Sequence, residues 1–357
     1  MNLEKLHAYL KLNAVEHWAG AVLHSIYENG YEVEEIAAFS RNKWEEFFSK
    51  RKCDRIFRTL LEFRVEEELE YALENGIGIL PMEDPDYPEL LKEIFNPPRV
   101  LFYLGKLPPR GTLHLSVVGA RDASVAGKCN AEDLGMFLAS QGISVVSGFA
   151  RGIDRAVHRG CMQRGGYVTG IIGSGIAEFV KPALQDFYVR ALRNGVMFSE
   201  FPVKFPVFKR NYPLRNRIIT GMSLGTVIVE AKIRSGSMVS ARHALEQGRE
   251  VFAIPGPINS ETAQGPNSLI RSGAVLVSRF EDIVLDLGLP LKPAPETQPL
   301  TPEEEEILEL LTKSPRPVDD LVYNLQKPLA KLSPLLLSLE RKQRVARLPG
   351  DMIRSVL

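Results

Sequence analysis

Cysteine is scarce in this chain: Cys53, Cys129 and Cys161 lie far apart, form no C-x-x-C pair and have no histidine at metal-ligand spacing. This argues against a disulfide framework and a zinc site and reads the three thiols as reduced packing residues. Long apolar runs are missing as well. None reaches the roughly 18 residues of a bilayer-spanning helix. The opening MNLEKLHAYLKLN puts acidic and polar residues where a secretory segment is apolar. A cytoplasmic protein without membrane contact is the expectation. Net charge is also absent, with 44 Lys and Arg against 44 Asp and Glu, but the zero hides a partition. Residues 1–93 hold 20 acids and 11 bases, net −9, so the remaining 24 acids and 33 bases are net +9. A basic remainder suits a polyanionic partner.

What is present is a soluble globular composition, 45% apolar and 25% charged over 357 residues, enough for two or three domains. Residues 1–78 show apolar residues at helical spacing, and Gly30 and Gly76 follow periodic runs where a glycine ends a helix. An all-α front is expected there. Residues 79–287 open with two short apolar runs broken by prolines, which suit edge strands. They continue with LHLSVVGA, ISVVSGFA, YVTGIIGSG, VMFSEF, GTVIVEA, EVFAIPG and AVLVSR, strand-length runs separated by helical stretches such as 125–141, 154–165 and 237–248. Continuous apolar strands alternating with helices predict a mostly parallel sheet covered on both faces, a Rossmann-like α/β domain. Residues 288–300 hold four prolines and read as a linker, and 301–357 give three short helices, a strand, a turn and a strand, the outline of a winged helix.

Several strands end alike, in small residues followed by a helix start: VVGAR at 117–121, VVSGFARGID at 145–154, IIGSG at 171–175 and VEAKIRSGS at 229–237. Parallel strands bring their carboxyl ends to one edge, where glycine admits backbone N–H groups to an anion and helix N-termini add partial positive charge. Gly119, Arg121, Ser147, Gly148, Gly173, Ser235, Gly236 and Ser237 are therefore candidate phosphate contacts. Structural readings stand beside these, since Asp154 has the place of an ordinary helix cap and His158 that of a core histidine.

Nucleotide signatures are lacking. GARDASVAGKC has no Ser or Thr after its Gly-Lys, as a P-loop requires, and no G-x-G-x-x-G opens the first helix. Neither a cofactor nor a metal is expected. The rival is a nucleotide phosphoribohydrolase of the lysine-decarboxylase-like family, whose G-G-x-G-T-x-x-E signature is approached by SLGTVIVEA. There Glu230 would be the catalytic carboxylate, but one extra residue after Thr226 puts it at a strand end, where it orients a neighbouring Arg or backbone amide. Lys204 to Arg217 carries five bases and no acid, and RGIDRAVHRGCMQR adds four arginines against one Asp. One phosphate needs two or three donors, so a set this extended suits a polymer backbone. Lys209, Arg210, Arg215 and Arg217 join the candidates as an arginine-rich loop. Phe201, Phe205, Phe208 and Tyr212 are interleaved with it, either to stack on unpaired bases or to pack beneath it.

VVGARDAS, VVSGFARGIDRAVHRG, YPLRNRIITGMS, TVIVEAKIRSGSMVSARHALEQGREVFAIPG and GPNSLIRSGAVLV, in this order, closely resemble the DprA/Smf family of DNA-processing proteins over about residues 80–286. The front resembles that family's sterile-alpha-motif or helix-hairpin-helix-like domain, and the tail its winged-helix-like domain. The resemblance implies a non-enzymatic protein that binds single-stranded DNA in natural transformation, loads the RecA recombinase onto it and acts as a homodimer. Carried over by motif, the pocket falls on Gly119 and Arg121, Ser147 and Gly148, Asn216 and Arg217, and Ser235, Gly236 and Ser237. One departure is GSGIAEFVKPALQDFY, in which Val180 and Lys181 stand before Pro182 where the family has Tyr-Pro, so that Lys181 brings a cation to the same rim. A third reading is a duplex-binding regulator working through the winged helix.

Overall fold

A computed structural model describes residues 2–179, 186–293, 299–311, 314–342, 344–348 and 350–356. Lys181 and the middle of the 288–300 segment lie outside the described residues. The chain divides into two compact units, Met1–Leu291 and Lys292–Leu357.

The first unit begins with five helices: α1 (Leu3–Glu28), α2 (Val33–Ala37), α3 (Arg41–Glu45), α4 (Lys50–Glu62) and α5 (Val65–Glu74). Gly30 and Gly76, at φ 85° and 63°, end the first and last of them in the left-handed conformation that glycine adopts without a Cβ clash. Then follow β1 (Gly78–Pro81), α6 (Glu89–Lys92), β2 (Val100–Gly105), β3 (His114–Val118), α7 (Val125–Ser140), β4 (Ser144–Ser147), α8 (Ile153–Gln163) and β5 (Val168–Ile171). α9 (Ile176–Phe179), α10 (Asp186–Arg193), β6 (Gly195–Ser199), α11 (Asn211–Gly221), β7 (Gly225–Ile228) and α12 (Gly236–Glu246) continue the alternation. β8 (Glu250–Ala253), α13 (Gln264–Arg271), β9 (Val275–Leu276) and α14 (Phe280–Asp286) complete it.

The nine strands form one sheet in the order β1-β2-β6-β5-β4-β3-β7-β8-β9. β3 to β9 are parallel throughout, while β1 pairs with β2 and β2 with β6 antiparallel. Both faces are covered. Alternate strand residues Leu115, Val117, Val145 and Phe252 pack beneath α1, α7, α8 and α10, whereas Val118, Val146, Ile228 and Val251 pack beneath α6, α11 and α12. Burial on two sides explains why these strands read as mostly apolar runs.

The second unit holds α15 (Pro302–Leu311), β10 (Arg316–Pro317), α16 (Val318–Leu325), α17 (Leu329–Arg341), β11 (Val345–Leu348) and β12 (Met352–Ser355). Its three strands pair in the order β10-β12-β11. Ile307, Leu321, Leu332, Leu336, Leu339 and Ile353 make a separate core, giving a winged helix.

The secondary structure departs from expectation in the basic stretch. The stretch taken as an arginine-rich loop is a loop only as far as Arg210. From Asn211 it is α11, with Pro213 in the first turn, where a missing N–H costs no hydrogen bond.

Candidate nucleic-acid interface

Successive connections run one way from β3 through β4, β5 and β6, and the other way from β7 through β8 to β9. Such a reversal leaves a crevice outside the carboxyl ends of the two diverging strands. Here it is a cavity of about 270 Å³, lined by Gly119, Ala120 and Arg121 after β3, Ala150 and Asp154 after β4, Tyr212, Arg215 and Asn216 of α11, and Ser235, Gly236 and Ser237 at the start of α12.

The turns are held by short-range packing. At Gly119 a Cβ would run into the Ile153 side chain, and Gly152, at φ 85°, sits against the carbonyl oxygens of Ala120 and Arg121. The first turn is fixed from the other side by Glu230, whose backbone oxygen accepts from Ala120 N at 2.7 Å. Its carboxylate accepts from Ser124 N at 2.9 Å and from the Ser124 hydroxyl at 2.5 Å. Glu230 therefore anchors the cap of α7 instead of facing the crevice.

Beneath the crevice lies a buried carboxylate and guanidinium. Asp154 accepts from Gly148 N at 3.0 Å and Ala150 N at 3.4 Å. Arg215 donates to the Ile171 carbonyl, and its guanidinium fills the space that a side chain at Gly148 would occupy. Burial pulls the Arg215 guanidinium down to about 10 and pushes the Asp154 carboxyl up, each opposed by the charge of the other. Phe149 between these groups has φ 53°, a left-handed strain of about 1–3 kcal/mol for a non-glycine residue. It is held by its ring, which lies against Gly170, and by the Tyr188 hydroxyl, which donates to its carbonyl at 3.0 Å.

The mouth is less committed. Arg121 is exposed, with its guanidinium 5.1 Å from the centre of the Tyr212 ring. Among the described residues no side chain caps α12, which leaves the first amides of this 11-residue helix without a side-chain acceptor. The hydroxyl of Ser235 is buried without a partner among the described residues. Asn216 donates to the Gly236 carbonyl at 3.2 Å, tying α11 to α12 across the cavity. A guanidinium, an uncapped helix N-terminus and an unpartnered hydroxyl around one hollow are groups that attract an anion.

The sequence-derived candidates separate accordingly. Gly119, Arg121, Asn216, Ser235, Gly236 and Ser237 line the crevice. Arg215 also reaches it, but as part of the floor and only 5% exposed, so its place in an exposed basic loop is corrected. Ser147 is fully buried and donates to Val117 O at 2.6 Å, and the Gly148 amide is taken by Asp154, which removes both as direct donors. Gly173 lies below Tyr212, its carbonyl accepting from Asn211 Nδ2 at 3.0 Å. Arg217 leaves the site altogether: its Nη2 is 2.6 Å from Glu200 Oε2 in a pair only 14% and 8% exposed. The reason is helical geometry, since residues two apart at 100° per residue point to nearly opposite sides, so Arg215 and Arg217 share no face. Lys209 and Arg210 are exposed in the loop beside the crevice without lining it.

Phe201 is buried, while Phe208 and Tyr212 keep exposed surface. Ser240, one turn beyond Ser237 on α12, lines the cavity and was missed; the three-residue spacing of the two serines was the available signal. His158 is fully buried, and burial drives it down to about 3, leaving it neutral. Among the described residues no group of His, Cys, Asp and Glu is placed to hold a metal ion, and no helix is long and apolar enough to cross a membrane.

Residues 78–288 match the model of the family described as DNA recombination-mediator protein A, and residues 291–351 that of the DprA winged helix domain. The chain is 36% identical to Protein Smf of Escherichia coli over 302 residues, 81% of this chain and 80% of that protein. It is 34% identical to the DNA processing protein DprA of Bacillus subtilis over 253 residues, 70% and 80% of the two chains. The DprA structure from Streptococcus pneumoniae superposes with a TM-score of 0.67 at 28% identity, over 80% of this chain and 99% of that one. That of Helicobacter pylori DNA processing protein A, described for its single-stranded DNA binding mode, gives 0.53 at 25% identity over 59% and 95%. With matched family models over both units and relatives aligned along most of their length, the chain belongs to the DprA/Smf family of DNA processing proteins.

Proposed function

We infer that this protein binds single-stranded DNA at the carboxyl edge of its sheet without breaking a bond, and delivers the strand to RecA recombinase in transformation or related DNA processing, acting as a homodimer in the cytoplasm. The observation that carries the reading is the mouth of the crevice: exposed Arg121, the unpartnered Ser235 hydroxyl and the uncapped start of α12. Gly119, Asn216, Gly236 and Ser237 shape the hollow around one phosphate, and Lys209 and Arg210 extend cationic surface beyond it for the next two phosphates. Lys181 remains a proposed addition from sequence. Tyr212 and Phe208 offer ring faces to unpaired bases. The H. pylori relative, described for its single-stranded DNA binding, supports the same ligand here. A narrow crevice favours a single backbone over a rigid duplex.

The phosphoribohydrolase reading asks Glu230 to attack a ribose. Both carboxylate oxygens of Glu230 are engaged by Ser124, which argues for a positioning role. Incubation with AMP followed by assay for free adenine separates the two, with no release expected alongside retention of oligothymidylate in a gel shift. Release of adenine at enzymatic rates would overturn the reading. RecA delivery is tested by the lag of RecA-dependent ATP hydrolysis on strands already coated by a single-strand-binding protein, which this protein should shorten, and the dimer by sedimentation.

A further inference from the structure

The basic loop that runs from Pro202 to Arg210 is not self-supporting. Its first residues lie between two jaws. From one side Glu68 of α5, only 7% exposed, accepts the backbone N–H of Val203, and the Lys204 ammonium rests 4.2 Å from the centre of the Tyr71 ring on the same helix. From the other side Ala177 N donates to Val203 O at 3.0 Å and Gly175 N to Phe205 O at 2.8 Å, with no room for a side chain at Gly175. The aromatic residues carry the hold outward. His17 of α1 meets Phe205 at 4.4 Å between ring centres, Phe205 meets Phe208 at 5.8 Å, and the Arg210 guanidinium lies 4.9 Å from the Phe208 ring. Asn13 of α1 donates to the Glu200 carbonyl at 2.7 Å just before the loop. These contacts from the helical front go to the loop backbone, the Lys204 ammonium and the Phe205 ring, and Lys209 and Arg210 are left exposed.

We propose that the helical front is a positioning clamp for the basic loop: α5 through Glu68 and Tyr71, and α1 through His17, hold Lys209 and Arg210 at a fixed place beside the crevice so that they meet the next phosphates of a bound strand. This rests on the single-stranded DNA reading. The physical reason is entropic, since an unanchored nine-residue loop carrying two exposed long cations would otherwise lose its freedom on binding and offset much of the electrostatic gain. Glu68, Tyr71 and His17 touch no ligand and act through the loop. The front, net acidic with 15 acids against 10 bases over residues 1–78, thereby contributes to binding a polyanion through the loop it holds.

Two readouts test it on the full chain. Limited trypsin digestion of the free protein should cut after Lys204, Lys209 or Arg210 about tenfold or more faster in Glu68→Ala, because the buried Val203 amide loses its acceptor and local opening is less restrained. Glu68→Gln keeps an acceptor for Val203 N and should digest like the wild type. Oligothymidylate binding should weaken in Glu68→Ala and lose up to about 1.4 from the slope of log affinity against log salt, two single-strand phosphates at about 0.7 each. Glu68→Ala should add nothing in a Lys209→Ala/Arg210→Ala background, whereas Arg121→Ala should weaken binding in either. Unchanged cleavage, or an effect of Glu68→Ala that persists undiminished without Lys209 and Arg210, overturns the clamp. Wild-type protein that fails to hold oligothymidylate, with loop cleavage still faster in Glu68→Ala, overturns the DNA reading and leaves the clamp as loop architecture.

Discussion

Arg121→Ala is the sharpest perturbation of the crevice. In the free protein Arg121 is exposed, and its guanidinium lies 5.1 Å from the centre of the Tyr212 ring, an exposed cation–π contact of about 0.5–1 kcal/mol. Its removal should therefore move the melting temperature little. In the complex the guanidinium gains a charge-assisted, bidentate contact with a phosphate, of about 1.5–3 kcal/mol. Since about 1.4 kcal/mol is a factor of ten, oligothymidylate affinity should fall roughly ten- to a hundredfold. The salt slope should fall by about 0.7, one phosphate fewer on a single strand. Fluorescence anisotropy across a salt series reads both. Unaltered affinity and slope, in a variant that melts like the wild type, would refute the placement of a phosphate at this mouth.

Arg217→Ala should behave in the opposite way. It strands Glu200, 8% exposed, without its cation, and breaking a buried pair costs about 3–5 kcal/mol, so a lower denaturation midpoint with near-normal affinity at low temperature is expected. Glu16 offers a pH test. Burial and the neighbouring Glu200 push its carboxyl up to about 7, against the opposing charge of Arg217. A carboxyl raised on folding contributes stability that is full below about 4.5 and lost as pH climbs through about 7. Thermal stability should fall between pH 5 and 8, and Glu16→Gln should flatten that dependence in calorimetry; an equal dependence in the variant would remove Glu16 as the cause. Gly152→Ala should disturb the loop over Asp154, because φ 85° is strained for alanine and its Cβ would strike the Ala120 carbonyl. Weaker DNA binding and earlier melting are expected together, and a wild-type melt would contradict the steric argument.

The strands were legible because burial on both faces leaves them largely apolar, as in Val196–Phe198 and Val251–Ala253. Gly119, Arg121 and Ser235 to Ser237 could be found because a glycine or serine turn after a parallel strand has one place to go, the carboxyl edge. What remained hidden depended on direction, not composition. Arg215 and Arg217 are the same residue type two positions apart, and only the helix that carries them decides that one lies under the crevice and the other pairs with Glu200. Ser147 looked like a donor because it ends a strand, but its side chain falls on the inward side and meets Val117 O. The partners of the basic loop, Glu68 and His17, are 135 and 188 residues from the Val203 and Phe205 they touch, a separation that no local pattern records.

A single strand gripped at the carboxyl edge of the sheet is the central claim. Titrating oligothymidylate and a duplex of equal length at matched salt, from low to physiological ionic strength, measures this most directly. The prediction is tighter binding of the single strand, with a slope near −2 for three phosphates met by Arg121, Lys209 and Arg210 at about 0.7 each. Equal affinity for the two, or a single-strand affinity indifferent to salt, would contradict it.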